Sequence, residues 1–186
     1  MPVRHAVGRT TRDYLKAETA QGHERLDKRL GALVMGDAPD YERFIDIQFR
    51  ARLGVERWLA ATGGLDLPPS QTDLLAEDLF SLGREPGADA PDLDIPADCD
   101  PLGVCWVLAG SSMGNRAIHA RLAKRDGRLP MVFLADERMK NYWAKLRPLL
   151  ERGHDPEQDR PVLIAAQATF AHFNAVAIER IAIESA

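Results

Sequence analysis

Apolar residues recur along most of this chain at helical rather than strand spacing. Between Thr10 and Leu33, Tyr14, Leu15, Ala17, His23, Leu26 and Leu30 fall near one face, with polar residues between them. Thr10 or Thr11 can cap this helix, and Asp13 places a carboxylate in its first turn. Gly36 to Asp40, with Pro39, reads as a connection. Asp40 is expected to cap a second helix over Tyr41 to Thr62, which Gly63-Gly64 should stop. Pro68-Pro69-Ser70 opens a third helix over Gln71 to Leu82. From Gly83 to Asp100 the periodicity lapses into the longest loop, rich in Asp and Pro. Helical spacing returns over Leu102 to Lys124, ends at Asp126-Gly127, and resumes over Asp136 to Glu151 and Pro161 to Ala186. Met131 to Leu134 is a weak strand candidate. The pattern predicts an all-α chain, with a tail over 1–9 and a single compact domain of six to eight helices over 10–186.

Composition narrows the function classes. The 186 residues are 45% hydrophobic and 28% charged, ordinary for a folded globular chain. Lys and Arg number 24 against 28 Asp and Glu, a net charge of -4, which argues against a nucleic-acid partner. The two cysteines, Cys99 and Cys105, lack zinc-site spacing and are expected to be reduced thiols. Met1 to Thr10 carries Arg4, His5 and Arg9 but no apolar segment, so no secretion signal is expected. No uninterrupted apolar run approaches the roughly 20 residues of a membrane span. A cytoplasmic protein without a membrane partner is the expectation.

The helix over 102–124 holds the most unusual chemistry. It contains Gly103, Gly110 and Gly114 with Ser111 and Ser112, although each helical Gly costs about 1 kcal/mol relative to Ala. Gly110 and Gly114, four apart, share a face. That bare face suits either close helix packing or the approach of a flat ligand. On the first helix, His23 lies among apolar neighbours, and neutral imidazole is a good axial ligand for haem iron. Lys16 lies two turns earlier on nearly the same face and could meet an anionic group of the same ligand. His119 and His172 are weaker iron-ligand candidates. Ser111-Ser112 lacks the strand–turn–helix setting of a hydrolase nucleophile.

Leu15-Lys16-Ala17-Glu18-Thr19-Ala20-Gln21-Gly22-His23 resembles the N-terminal helix of haem oxygenases, notably the bacterial biliverdin-producing branch. Trp106-Val107-Leu108-Ala109-Gly110-Ser111-Ser112-Met113-Gly114-Asn115 resembles that family's kinked distal helix, and Gln167 to Phe173 resembles its C-terminal pocket helix. The resemblance implies a haem oxygenase-like fold and an enzyme that cleaves haem with O2 and electrons to biliverdin, CO and iron. Haem would be both substrate and cofactor, with His23 on the metal and Gly110, Ser111 and Gly114 as the catalytic distal residues. Lys16, Trp106, Phe170 and Lys140 would complete the cofactor contacts, Lys16 as a propionate partner. Lys145 and Arg147 lie on the same helix as Lys140. A reductase or ferredoxin-type protein would supply electrons, and a bilin-binding photoreceptor could receive the product. Two positions depart from the family pattern: Asn115 stands where a second glycine is usual, and Trp106 where many bacterial relatives have tyrosine. They motivate an alternative, a non-catalytic haem- or bilin-binding protein on the same fold. A helical interaction module that uses Gly110 and Gly114 for packing is a third reading.

Overall fold

A computed structural model describes residues 8–63, 66–125 and 128–183. His5, Gly64, the Asp126-Gly127 stop and the last three residues of the predicted final helix lie outside them. Six helices follow in order: α1 (Thr11–Met35), α2 (Ala38–Thr62), α3 (Thr72–Ser81), α4 (Pro101–Arg125), α5 (Arg138–Leu150) and α6 (Pro156–Ile183). The all-α expectation is met.

Local chemistry explains the boundaries. Thr10 caps α1 in a reciprocal box, its hydroxyl accepting from the Asp13 N–H while the Asp13 carboxylate accepts from the Thr10 N–H. α2 begins three residues earlier than the sequence suggests. Asp37, not Asp40, is its cap and accepts from the Asp40 N–H at 3.1 Å, with Pro39 in the first turn. Gly63 ends α2 at a φ of +67°, where an L side chain would be strained. α6 begins at Pro156 rather than Pro161, because Asp155 accepts from the Glu157 and Gln158 N–H groups at 2.9 and 3.0 Å. Met131–Leu134 is not a strand; residues 132–135 form a turn. The buried Asp78 carboxylate takes the Val132 and Phe133 N–H groups at 2.8 and 3.0 Å, and Tyr41 donates to the Pro130 carbonyl at 2.7 Å. Those backbone groups are therefore satisfied without a partner strand.

α6 is the central element and packs on α1, α2 and α4, while α3 packs on α2 and α5 on α4. By length and composition α6 is apolar enough to cross a membrane, and 44% of its most apolar stretch is buried inside the protein. Its contacts with three helices account for that apolarity. Gly103 makes the α4–α6 crossing possible. A Cβ there would collide with the Val162 carbonyl and lie 2.9 Å from the Ala165 Cβ. α1 is tied to the start of α6 by Asp159, which is fully buried and accepts from Thr11 Oγ1, Arg152 and His154.

Candidate functional site

Because α1 and α4 both lean on α6, Phe170 of α6 comes between their side chains. Its ring meets His23 of α1 edge-on at 5.7 Å between centroids, and Trp106 of α4 edge-on at 6.3 Å. Phe170 is buried and Trp106 half-buried. The three aromatics join α1, α6 and α4, and three sequence-predicted site residues thus meet.

His23 stands at the edge of the buried face of α1, with 58% of its side chain exposed. Its Nδ1 lies 3.1 Å from Asp27 Oδ2, one turn on. A carboxylate at Nδ1 holds the N–H on that nitrogen and leaves the Nε2 lone pair pointing elsewhere, the arrangement a metal-binding imidazole needs. Lys16 lies two turns before His23 on the same stripe, exposed and without an ion pair among the described residues. Ala17 and Ala20, also exposed, leave the surface beside His23 low.

On α4 the glycines divide into two kinds. Gly103 is needed for packing, but a Cβ at Gly110 or Gly114 would meet nothing within 4 Å. Among the described residues the pair does not serve packing within the chain: the bare face is left open. Met113 and Ala117 are exposed beside it. Asn115 is buried, a quarter-turn or more from the bare face, so it does not narrow the opening.

Ser111 connects this face to α2. Its hydroxyl donates to the Leu108 carbonyl at 2.7 Å and accepts from Arg52 Nη2 at 2.9 Å. The only proton is thus committed within α4, and the oxygen can offer a remaining lone pair but not a proton. Ser112 likewise bonds back, to the Ala109 carbonyl at 2.7 Å.

Not every predicted residue joins this group. Lys140 is exposed on α5 with no ion pair among the described residues, while Lys145 pairs with Asp66 and Arg147 with Glu151. The structure brings none of these three into contact with His23, Phe170 or Trp106. His172 donates from Nε2 to the Ala51 carbonyl at 3.0 Å, and burial lowers its pKa, so its nitrogen is engaged elsewhere. His119 is half-buried on α4 and joins no metal-binding group. No cluster of three or more His, Cys, Asp or Glu among the described residues could hold a bare metal ion. A groove of about 470 Å³ lies between α1 and α6, lined by Gly22, Arg25, Arg29, Phe170 and Asn174 among others.

Two partners were not foreseen. The His23–Asp27 pair was readable as an i, i+4 spacing. Arg52 was readable too, since Ile45, Gln48, Arg52, Val55 and Leu59 follow a 3–4 alternation that places a cation on the buried face of α2.

No family model matches the sequence, and no curated protein matches it. Among solved structures, the chain is similar to the haem oxygenase of Neisseria meningitidis in its NO- and CO-bound forms. The TM-score is 0.70 over 93% of this chain and 92% of the other, at 21% identity. The chain has the haem oxygenase fold. Within that fold, α1 carries His23 and α4 carries the open glycine pair, and the sequence resemblance names those same two helices.

Proposed function

We propose that the protein is a haem oxygenase, binding haem against the His23 stripe of α1 and the Gly110–Gly114 face of α4. The observation that carries this reading is the bare α4 face: two glycines in mid-helix that no other described residue fills. A flat macrocycle needs such a surface, and the other residues present fit one. His23 offers a free Nε2, and the Asp27 carboxylate raises its basicity as a ligand. Lys16 can anchor a propionate by a charge-assisted hydrogen bond. Lys140 is proposed as a second propionate partner. Phe170 and Trp106 supply apolar walls at the junction of the three helices.

Haem itself supplies the oxygen chemistry, and an external donor, a reductase or ferredoxin-type protein, supplies electrons. The chain's part is orientation and restriction. His23 would hold the iron from the α1 side, and the glycines let the α4 backbone crowd the other side. Ser111 would accept a hydrogen bond from water or ligand on the α4 side, because its own proton is bound to Leu108. The products of this reaction are biliverdin, CO and iron, and a cytoplasmic setting with a bilin-binding acceptor belongs to the same proposal. The departure at Asn115 does not favour a non-catalytic protein, since that side chain is buried away from the face.

The test is an optical titration with hemin, followed by ascorbate or a ferredoxin-type reducing system in air. A stoichiometric Soret band that decays into a bilin absorbance is expected. His23→Ala should lose the native ligation spectrum while remaining helical by circular dichroism. A Soret band that persists under several donors would leave a haem-binding protein without turnover. Unchanged ligation in His23→Ala would remove His23 from the iron.

A further inference from the structure

Arg52 is the largest fully buried side chain among the described residues, at 2% exposure, and it lacks the partner such a burial normally requires. No carboxylate of a described residue lies within ion-pair distance of it. Its Nη2 donates to Ser111 Oγ at 2.9 Å, and its guanidinium lies over Phe133 at 4.9 Å and Phe173 at 5.8 Å from the ring centroids. The Nε–H has no hydrogen-bond partner among the described residues.

The acidic groups that face it are Glu56, one turn along α2, and Asp136, before α5. Both are held by other donors. Glu56 accepts from Ser70, the Gln71 N–H and Thr72, and Asp136 from Gln71 and Arg138. Burial lowers the Arg52 pKa to about 10, so the group remains charged at neutral pH. A buried cation without a direct ion pair, offset only by the more distant charges of Glu56 and Asp136, is a cost to the fold and is a functional candidate on that ground. Its one bond leads directly to the α4 wall of the proposed haem cleft.

We propose that Arg52, held behind Ser111, sets the polarity of the α4 wall so that the cleft favours anionic over neutral ligands of a bound haem iron. The inference rests on the haem-binding reading. Arg52 touches no ligand itself; it acts through its positive charge, since the Ser111 oxygen beside it has only a lone pair to offer and does not attract an anion. A full charge within roughly 10 Å, in surroundings of intermediate dielectric, changes an anion's affinity by about tenfold.

The experiment measures azide and imidazole affinities of the ferric haem complex by absorption, at constant pH and salt. Wild type is compared with Arg52→Met, Arg52→Gln and Arg52→Lys. The neutral variants should lose azide affinity about tenfold while imidazole affinity stays within about twofold, and Arg52→Lys should recover most of the azide binding. Equal changes in both ligands, or no change in either, would overturn the proposal. Should Arg52→Met fail to fold, the more polar Arg52→Gln, checked against Arg52→Lys, decides the same question. Failure of wild type to bind hemin at all would strike the haem reading instead.

Discussion

The buried carboxylate of Asp159 allows a quantitative test of what holds α1 in place. Its Oδ1 and Oδ2 each lie 3.1 Å from Thr11 Oγ1, Oδ2 lies 2.6 Å from His154 Nδ1, and the Asp155 N–H donates to it at 3.1 Å. Arg152 completes the ion pair. The His154 ring in turn stacks on Tyr14 of α1 at 4.0 Å. Burial alone would raise the carboxyl pKa. The bonds from His154, Asp155 and Thr11 and the charge of Arg152 outweigh burial and leave it below the ordinary value.

Asp159→Asn keeps the shape and removes the charge. Breaking one side of a buried, hydrogen-bonded ion pair costs about 3–5 kcal/mol, and the amide retains some of the bonding, so about 3 kcal/mol is expected. For a chain of this length that corresponds to a fall in Tm of about 6–12 °C. The folded pKa lies below the unfolded one. The carboxylate therefore contributes stability above pH ~4 and loses that contribution as the pH falls through its folded value. Urea unfolding of wild type and variant should show the full gap at pH 6 and a narrowing gap between pH 5 and pH 3. Faster amide exchange over Thr11 to Leu15 should accompany it, because the first turn of α1 is released. A gap below about 1 kcal/mol at pH 6, or one that is constant with pH, would refute the assignment of Asp159 as the charged anchor of α1.

The two kinds of glycine in α4 should respond oppositely to the same substitution. Gly110→Ala should stabilise the ligand-free protein by about 0.5–1 kcal/mol, since its Cβ meets nothing, while Gly103→Ala should destabilise it by 1–3 kcal/mol through collision with α6; thermal unfolding distinguishes them. Cys105 is buried, with its thiol pushed up to about 11, mainly by burial, and Cys99 is also buried with its thiol raised. Both should resist an aromatic disulfide reagent at pH 8 and react only when urea unfolds the chain.

Helix positions were legible in the sequence wherever a periodic run ended in a strong local signal. Thr10 with Asp13 marked the start of α1, and Gly63 marked the end of α2. Misreading followed where two signals competed. Asp40 stood directly before the periodic run and was read as the cap, whereas Asp37, three residues earlier, caps the helix, and Pro39 between them suits either a loop or a first turn. Pro161 looked like a start because proline favours first turns, but Asp155 caps the helix six residues earlier. The weak strand at Met131 to Leu134 failed for a tertiary reason, since Asp78, more than 50 residues away, captures its N–H groups. At the site, His23, Phe170 and Trp106 were legible as residues, and their meeting depended on how α6 crosses both other helices. Lys140 was named for its helix, and nothing in local periodicity could set its distance from α1. Arg52 was hidden by the expectation that a charge in a helix faces water, although its spacing placed it on the apolar side.

Spacing alone left α4 undecided between packing and ligand approach, and energetics explains how the structure decides it. Three glycines in one helix forfeit about 3 kcal/mol relative to alanine. Only Gly103 returns its share within the chain, by letting α4 and α6 approach closely. The segment from Gly110 to Gly114 is held from the other side: Leu108, Ala109, Ser112 and Asn115 are buried there, and Arg52 grips Ser111. The two serine hydroxyls bond to carbonyls three residues back, a habit that competes with the helix ladder and favours a bend. Stability is thus supplied on one face and access kept on the other. A helix selected for stability alone would carry alanine at both open positions, where nothing opposes a Cβ. Glycine there leaves room for something the described residues do not provide, and His23, engaged through Nδ1 alone, stands across the ring of Phe170 from Trp106 of the same helix.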